Sequence, residues 1–230
     1  NDGLGDASIP EPSITHKATH AVNATIDIAK EYDGKITYIA LGRLTNLALA
    51  LSLDPNLINL ISEVVVMGGA IHQPGNASPV ASANLYGDVL AADVVYASGL
   101  NIAQIGLDVC NKVEISMLEQ EQIWNLGSPV SDFLKKITPF IQSAYGKIGN
   151  AKEGAVRYND MPAVGYAIDD KLFTCERLNI GIETEGKYTK GQTVNGTRRN
   201  FIDDANLVNV ALEVDDTNLK KLWLKTISSY

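Results

Sequence analysis

The stretch EVVVMGG, Glu63–Gly69, decides the fold. Four apolar residues in succession, Val64 to Met67, cannot alternate between core and solvent, so a strand built from them is covered on both faces. That is the signature of a parallel sheet between helical layers, and Gly68-Gly69 supplies the turn that ends it. Upstream, KITYIALG holds a short β-rich run, Ile36 to Leu41, closed by Gly42. RLTNLALALSLDP then returns to helical spacing through Leu44, Leu47, Ala48 and Leu51. Before that strand, Ala18, Ala21, Val22, Ile26 and Ala29 predict a helix between His16 and Tyr32, stopped by Asp33-Gly34. Downstream, DVLAADVVYASG (Asp88–Gly99) reads as a helix with an Asp start and a Gly stop, and NIAQIGLDV (Asn101–Val109) as the next strand.

From Ser116 to Asn150 the spacing is helical, with a break at Gly127-Ser128-Pro129 and a second irregularity at Pro139. A short helix follows from Pro162 to Ile168. LNIGIETEG (Leu178–Gly186) and NVALEVD (Asn209–Asp215) read as later strands, and Asn218 to Ser229 as a closing helix. Strands separated by helices in this order imply right-handed crossovers. The expected architecture is one α/β domain over residues 1–230, a mostly parallel, Rossmann-like sheet flanked by helices.

With 230 residues, 45% hydrophobic and 20% charged, the chain can bury the core such a domain needs. A net charge of −8 excludes nucleic acid held by charge alone. The doublets Lys135-Lys136, Arg198-Arg199 and Lys220-Lys221 are scattered surface pairs. Cys110 and Cys175 lack the spacing of a zinc or redox motif and read as free thiols. No apolar run is long enough to span a bilayer, so no membrane partner is expected; the compartment stays open, with the cytoplasm expected. Asn-x-Ser/Thr triplets begin at Asn23, Asn76 and Asn195 but arise often by chance. The opening NDGLGD reads as the middle of a loop, and the natural beginning of the chain is expected upstream of it.

In open parallel sheets, ligands gather beyond the carboxyl ends of the strands. Three segments lie there: Leu41 to Asn46, Met67 to Asn84, and the approach to Asp160. In the second, Asn76, Ser78, Ser82 and Asn84 offer neutral donors and acceptors that suit sugar hydroxyls better than phosphate, while the same composition also describes a long surface loop. His72, in that loop, is of a residue type suited to acid or base work but stands alone. His16 and His20 have metal-compatible i, i+4 spacing with no carboxylate beside them, and are assigned to surface or packing. Asp160, just before a helix, is equally suited by position to cap it or to hold a metal. No nucleophile elbow, P-loop or dinucleotide fingerprint occurs.

Taken in order, NDGLGD, ALGRLTNLALAL, EVVVMGGA, GNASPVASANLYGDVLAAD, GLDV and NDMPAVGYAID resemble the nucleoside hydrolases of the inosine-uridine-preferring type, over Asn1 to about Asp215. The resemblance implies hydrolysis of a nucleoside to ribose and free base on a parallel-sheet fold holding Ca²⁺. It further implies that the Leu41 carbonyl and the Asp160 carboxylate are calcium ligands, that Asn76 and Asn84 bind ribose, and that Met67 lies in the substrate pocket. The family's Asp-rich calcium motif, with its first strand, has no counterpart in this sequence and is expected before Asn1, so Ca²⁺ is expected to depend on that segment.

Two positions depart from the family. Ser82 stands where a glutamate usually meets the 5′-hydroxyl, and Asn159 where a histidine usually protonates the leaving base. An amide has no titratable proton, which leaves Tyr158 and His72 as weak candidates for an acid. The implied partner is a small nucleoside and the implied assembly a homodimer or homotetramer. The alternative is a non-catalytic nucleoside- or sugar-binding relative, since both substitutions replace an ionisable group with a neutral one. The activity of the chain in this form is left open by the sequence, as is its base preference.

Overall fold

The computed structural model describes residues 4–8, 13–148, 152–196 and 207–230. The first three residues of NDGLGD, the doublet Arg198-Arg199 and the last two residues of the Ser116–Asn150 segment lie outside them. Its strands are β1 (Ile36–Ala40), β2 (Ile61–Met67), β3 (Ile102–Ile105), β4 (Phe173–Ile182), β5 (Thr193–Asn195) and β6 (Leu207–Val214). They form one sheet in the order β1-β2-β3-β6-β4-β5. The pairs β1–β2, β2–β3 and β3–β6 are parallel, whereas β4 runs antiparallel to both β6 and β5.

The helices are α1 (Ala21–Glu31), α2 (Thr45–Leu53), α3 (Leu57–Leu60), α4 (Ala83–Tyr86), α5 (Val89–Tyr96), α6 (Leu107–Cys110), α7 (Met117–Trp124), α8 (Pro129–Ile148), α9 (Met161–Ile168) and α10 (Asp216–Ile227). The apolar run of β2 divides between two cores. Val64 and Val66 pack with Ile102 and Val210 beneath α1, α2 and α5, while Val65 and Met67 pack with Ala103 and Ile105 against α6, α9 and α10. Val64, Val65 and Val66 are fully buried, and each such side chain contributes about 1.5 to 3 kcal/mol relative to exposure. Helical layers on both faces follow directly from this run. Among the described residues, no helix is long and apolar enough to cross a membrane.

Several element limits differ from the sequence reading. The first helix starts at Ala21 instead of near His16, because His20 is its N-cap, with Nδ1 accepting from Val22 N–H at 3.3 Å. The run NIAQIGLDV stops being strand at Ile105, and Leu107–Cys110 folds as a helical turn. Gly106 causes the change. A Cβ on it would stand 2.8 Å from the Gly69 carbonyl oxygen, so only glycine lets the chain leave the sheet there. Strand β4 begins five residues before Leu178, at Phe173, and antiparallel pairing with β6 carries it through polar residues such as Glu176 and Arg177.

Candidate functional site

Strands β1 and β2 end side by side, and the chain after each bears polar atoms on one edge of the sheet. A cleft of about 190 Å³ opens there, lined by Leu41, Met67, Asn76, Ser82, Ala83, Asn84, Asn159 and Asp160. Leu41, Met67, Asn76, Ser82, Asn84, Asn159 and Asp160, singled out from the sequence for metal, sugar or catalytic chemistry, are all in this lining, although they span about 120 positions of chain, whereas Ser78 is not. His72 and Tyr158 are not. His72 is exposed, and the Tyr158 hydroxyl lies 2.6 Å from Thr138 Oγ1, its ring packed on Trp223. His16 and His20 are exposed, and neither lines the cleft.

Asn84, on α4, holds the two strand ends together. Its Nδ2 donates to the Leu41 carbonyl at 3.1 Å and to the Met67 carbonyl at 2.9 Å. Two carbonyl acceptors fix which way the amide points, leaving Oδ1 to accept from a ligand. Asn76 is turned the other way: its Oδ1 accepts from Ala83 N–H at 2.8 Å, which leaves the amide hydrogens to donate. Together they present one acceptor and one donor, a pattern that matches neighbouring hydroxyls. Ser82 is buried, and its Oγ accepts from Gly69 N–H at 2.8 Å.

The Asn159-Asp160 turn is set by the strand-like segment before it. Ile115 and Val156 exchange backbone hydrogen bonds, and Arg157 forms a largely buried ion pair with Glu114 at 2.6 Å. From the other side, Cys110 Sγ on α6 lies 3.4 Å from the Asn159 carbonyl oxygen as a weak donor. Burial, reinforced by Asp160 and Asp108 nearby, pushes the Cys110 thiol far up, so it stays protonated.

Asp160 occupies the N-cap position of α9, yet its carboxylate makes no capping bond. The local geometry explains this. Its backbone is already helical, at φ −81° and ψ −21°, whereas a capping residue usually adopts extended angles that swing its side chain over the first turn. Pro162, two residues on, also lacks the N–H that a cap would engage. The carboxylate instead borders the cleft, where desolvation by the surrounding protein raises its pKa although the residue keeps contact with solvent. It is the only ionisable side chain in the lining. Across Asp160 lies a second, apolar cleft of about 270 Å³ that includes Tyr158, Met161, Leu134 and Trp223.

A calcium ion takes six to eight oxygen ligands. The Leu41 carbonyl and the Asp160 carboxylate are oxygens of the right hardness, but they are two, and Leu41 O already accepts from Asn84. Among the described residues no cluster of three or more His, Cys, Asp or Glu could hold a metal. The described residues therefore do not fit a complete calcium shell by themselves.

Two side chains that the sequence reading passed over shape the site. Asp108, buried on α6, accepts from Ile71 N–H at 2.8 Å and His72 N–H at 2.7 Å. Thr193 of β5 accepts from Ala70 N–H at 3.1 Å and donates to the Ala70 carbonyl at 2.8 Å. GLDV pointed to the neighbourhood of Asp108, but reading it as strand hid the acid's role. Thr193 carries no local signal at all.

The family model described as inosine-uridine preferring nucleoside hydrolase matches residues 1–221. A pyrimidine-specific ribonucleoside hydrolase, RihA, of Enterobacter sp. (strain 638) is 33% identical over 192 residues, covering 84% of this chain and 61% of that protein. An inosine-uridine preferring nucleoside hydrolase of Leishmania major is 35% identical over 195 residues, covering 84% and 60%. The solved structure of a purine-preferring ribonucleoside hydrolase from Gardnerella vaginalis superposes with a TM-score of 0.89 at 31% identity, covering 98% of this chain and 71% of that one. The chain thus spans about three fifths of the length of the curated relatives it matches.

Proposed function

Because the chain belongs to the inosine-uridine preferring nucleoside hydrolase family, we propose that it hydrolyses the N-glycosidic bond of ribonucleosides to ribose and free base. The observation that carries this reading is the cleft itself: seven residues chosen for such chemistry, from four separate segments, line one cavity of about 190 Å³. In the reaction, water oxygen bonds to the anomeric carbon, the carbon–nitrogen bond breaks, and its electron pair and a proton go to the base. Asn84 Oδ1 and the Asn76 amide bind the ribose hydroxyls. Met67, 4% exposed, gives the sugar an apolar floor. Asp160 is the one group in the lining that can take the proton of the attacking water. Asn159 donates a hydrogen bond to the departing base without supplying a titratable proton.

The same reading includes Ca²⁺ as cofactor, with Leu41 O and Asp160 contributing two oxygens and the remaining ligands coming from outside the described residues. When bound, such an ion supplies a fixed positive charge that polarises water and hydroxyls. The apolar cleft beside Asp160 offers the base an aromatic surface through Tyr158 and Trp223. The relatives' names include pyrimidine-specific and purine-preferring enzymes, so the proposed substrate class is ribonucleosides without choice of base. On the family resemblance alone, the proposal extends to a homodimer or homotetramer in the cytoplasm.

One observation favours a second reading, a nucleoside or sugar binder without turnover. Both family positions that usually carry an ionisable group near the sugar and base are neutral here, and Ser82 is engaged with Gly69. Reducing-sugar release from inosine and uridine, measured with and without added Ca²⁺, tests the hydrolase. Release above the uncatalysed rate supports it; calorimetric binding of nucleoside with no release supports the binder instead.

A further inference from the structure

After β2 the chain makes four successive N–H groups, Gly69 to His72, that no strand or helix receives. Three side chains from distant segments take all four. Gly69 N–H goes to Ser82 Oγ, Ala70 N–H to Thr193 Oγ1, and Ile71 and His72 N–H to the two oxygens of Asp108. A run of this kind is ordinarily a nest that attracts an anion. Here a carboxylate of the chain itself fills it. Gly69 lies at φ +85°, and a Cβ there would meet the Gln104 amide at 2.6 Å, so the turn is fixed from below as well.

Asp108 sits on α6, two residues from Cys110, whose thiol lies against the Asn159 carbonyl. One four-residue helix therefore touches both halves of the cleft, the loop that leads to Asn76 and Asn84 and the turn that bears Asn159 and Asp160. Asp108 does not line the cleft itself. We infer that Asp108 is a positioning residue, which holds the loop after β2 in the shape that presents the two asparagine amides, acting through backbone N–H groups and never touching substrate.

Its function in catalysis rests on the hydrolase or binder reading above, whereas its effect on the loop does not. Asp108→Asn replaces an acceptor oxygen with a donor, so one of the two N–H groups loses its partner while volume is kept. Two readouts on the folded chain decide the matter. The first is NMR of the side-chain amides of Asn76 and Asn84 together with amide exchange at Ile71 and His72. The expectation is about tenfold faster exchange at one of those two N–H groups and displaced asparagine resonances, with Val65 and Ala103 in the sheet unchanged. The second is calorimetric affinity for ribose or inosine, expected to weaken about tenfold with the thermal transition still cooperative.

A purely structural role would lower the transition temperature and leave the affinity of the folded protein and the asparagine resonances where they were; that result overturns the inference. If the parent chain binds neither ribose nor inosine, the functional reading fails by itself, and the asparagine resonances alone decide about Asp108. Should Asp108→Asn not fold, Thr193→Val, which frees Ala70 in the same run, must displace the same resonances, and unchanged resonances there also overturn it.

Discussion

Two of the aspartates at helix N-termini, Asp88 and Asp160, behave in opposite ways. Asp88, before α5, accepts from Ala91 N–H at 3.1 Å and from the Thr45 hydroxyl at 2.5 Å, and these bonds hold its carboxyl below the usual carboxylate range. Asp160, before α9, makes no capping bond, and desolvation raises its pKa. The difference originates in backbone angles. Asp88 lies at φ −156° and ψ 83°, outside the helix, and Asp160 at helical angles before a proline. The same residue type at the same helix position is a stabilising cap in one place and a carboxylate available to a ligand in the other. Helices α7 and α10 follow Asp88, with Ser116 and Asp215 as bonded caps.

The largest expected effect separates the two aspartates by activity. Asp160→Asn keeps shape and hydrogen-bonding capacity but removes the proton acceptor from the cleft, and nucleoside hydrolysis should fall by about a thousandfold. Asp88→Asn, outside the cleft lining, should leave the rate per folded molecule within about twofold. Ribose release at saturating inosine measures both, and equal losses in the two variants would dissolve the functional contrast.

Next in size is a gain. Asn159 stands beside Asp160 in the cleft but has no proton to give the leaving base. Asn159→His should raise the rate on substrates with poor leaving groups by about a hundredfold, within the range general acid catalysis provides. It should do little for p-nitrophenyl riboside, whose leaving group needs no proton. A uniform gain on both substrates would show that the histidine acts by some means other than proton donation.

How far the sequence reveals this arrangement also divides along the same line. Asp88 was legible as a helix start because its neighbours follow the helical period and Gly99 closes the segment. The two-sided burial of β2 was legible because four apolar residues cannot be amphipathic in a strand. The cleft residues were legible only as an ordered set of motifs, each weak by itself. Whether Asp160 caps its helix was open from spacing alone, since the deciding quantity is a backbone angle, although Pro162 already removed one donor. Asp108 and Thr193 stayed hidden for a different reason. Their partners are the N–H groups of Ala70 to His72, 37 and 123 positions away in the pairs with Ile71 and Ala70, and backbone partners leave no mark on sequence periodicity.

A smaller effect tests Asp88 by stability. Asp88→Ala should cost about 1 kcal/mol at neutral pH, the usual value of a lost helix cap. The pH dependence has a definite sign. The folded-state pKa is depressed, so the cap's charge-dependent contribution is present above the unfolded carboxylate pKa and is lost as pH falls through the lower, folded value. Denaturant titrations at pH 7 and near pH 3 should therefore show the variant and parent converging in acid. A difference that grows on acidification would mean that the carboxylate is not the group holding Ala91 N–H.

The smallest effect inverts that sign at Asp160. A charged group partly removed from water, with no hydrogen bond to offset the loss, is a cost to folding that an amide of equal size does not incur. Asp160→Asn should thus stabilise the metal-free protein where Asp88→Ala destabilises it. Solvent at the mouth of the cleft screens the charge, so the gain is expected to be about 0.5 kcal/mol or less. Measured in chelator at neutral pH, a midpoint shifted upward together with a lost activity would mark Asp160 as a residue kept for its chemistry against the interest of the fold. A downward shift would mean that the carboxylate supports α9 after all, and the distinction between the two helix starts would reduce to one of degree.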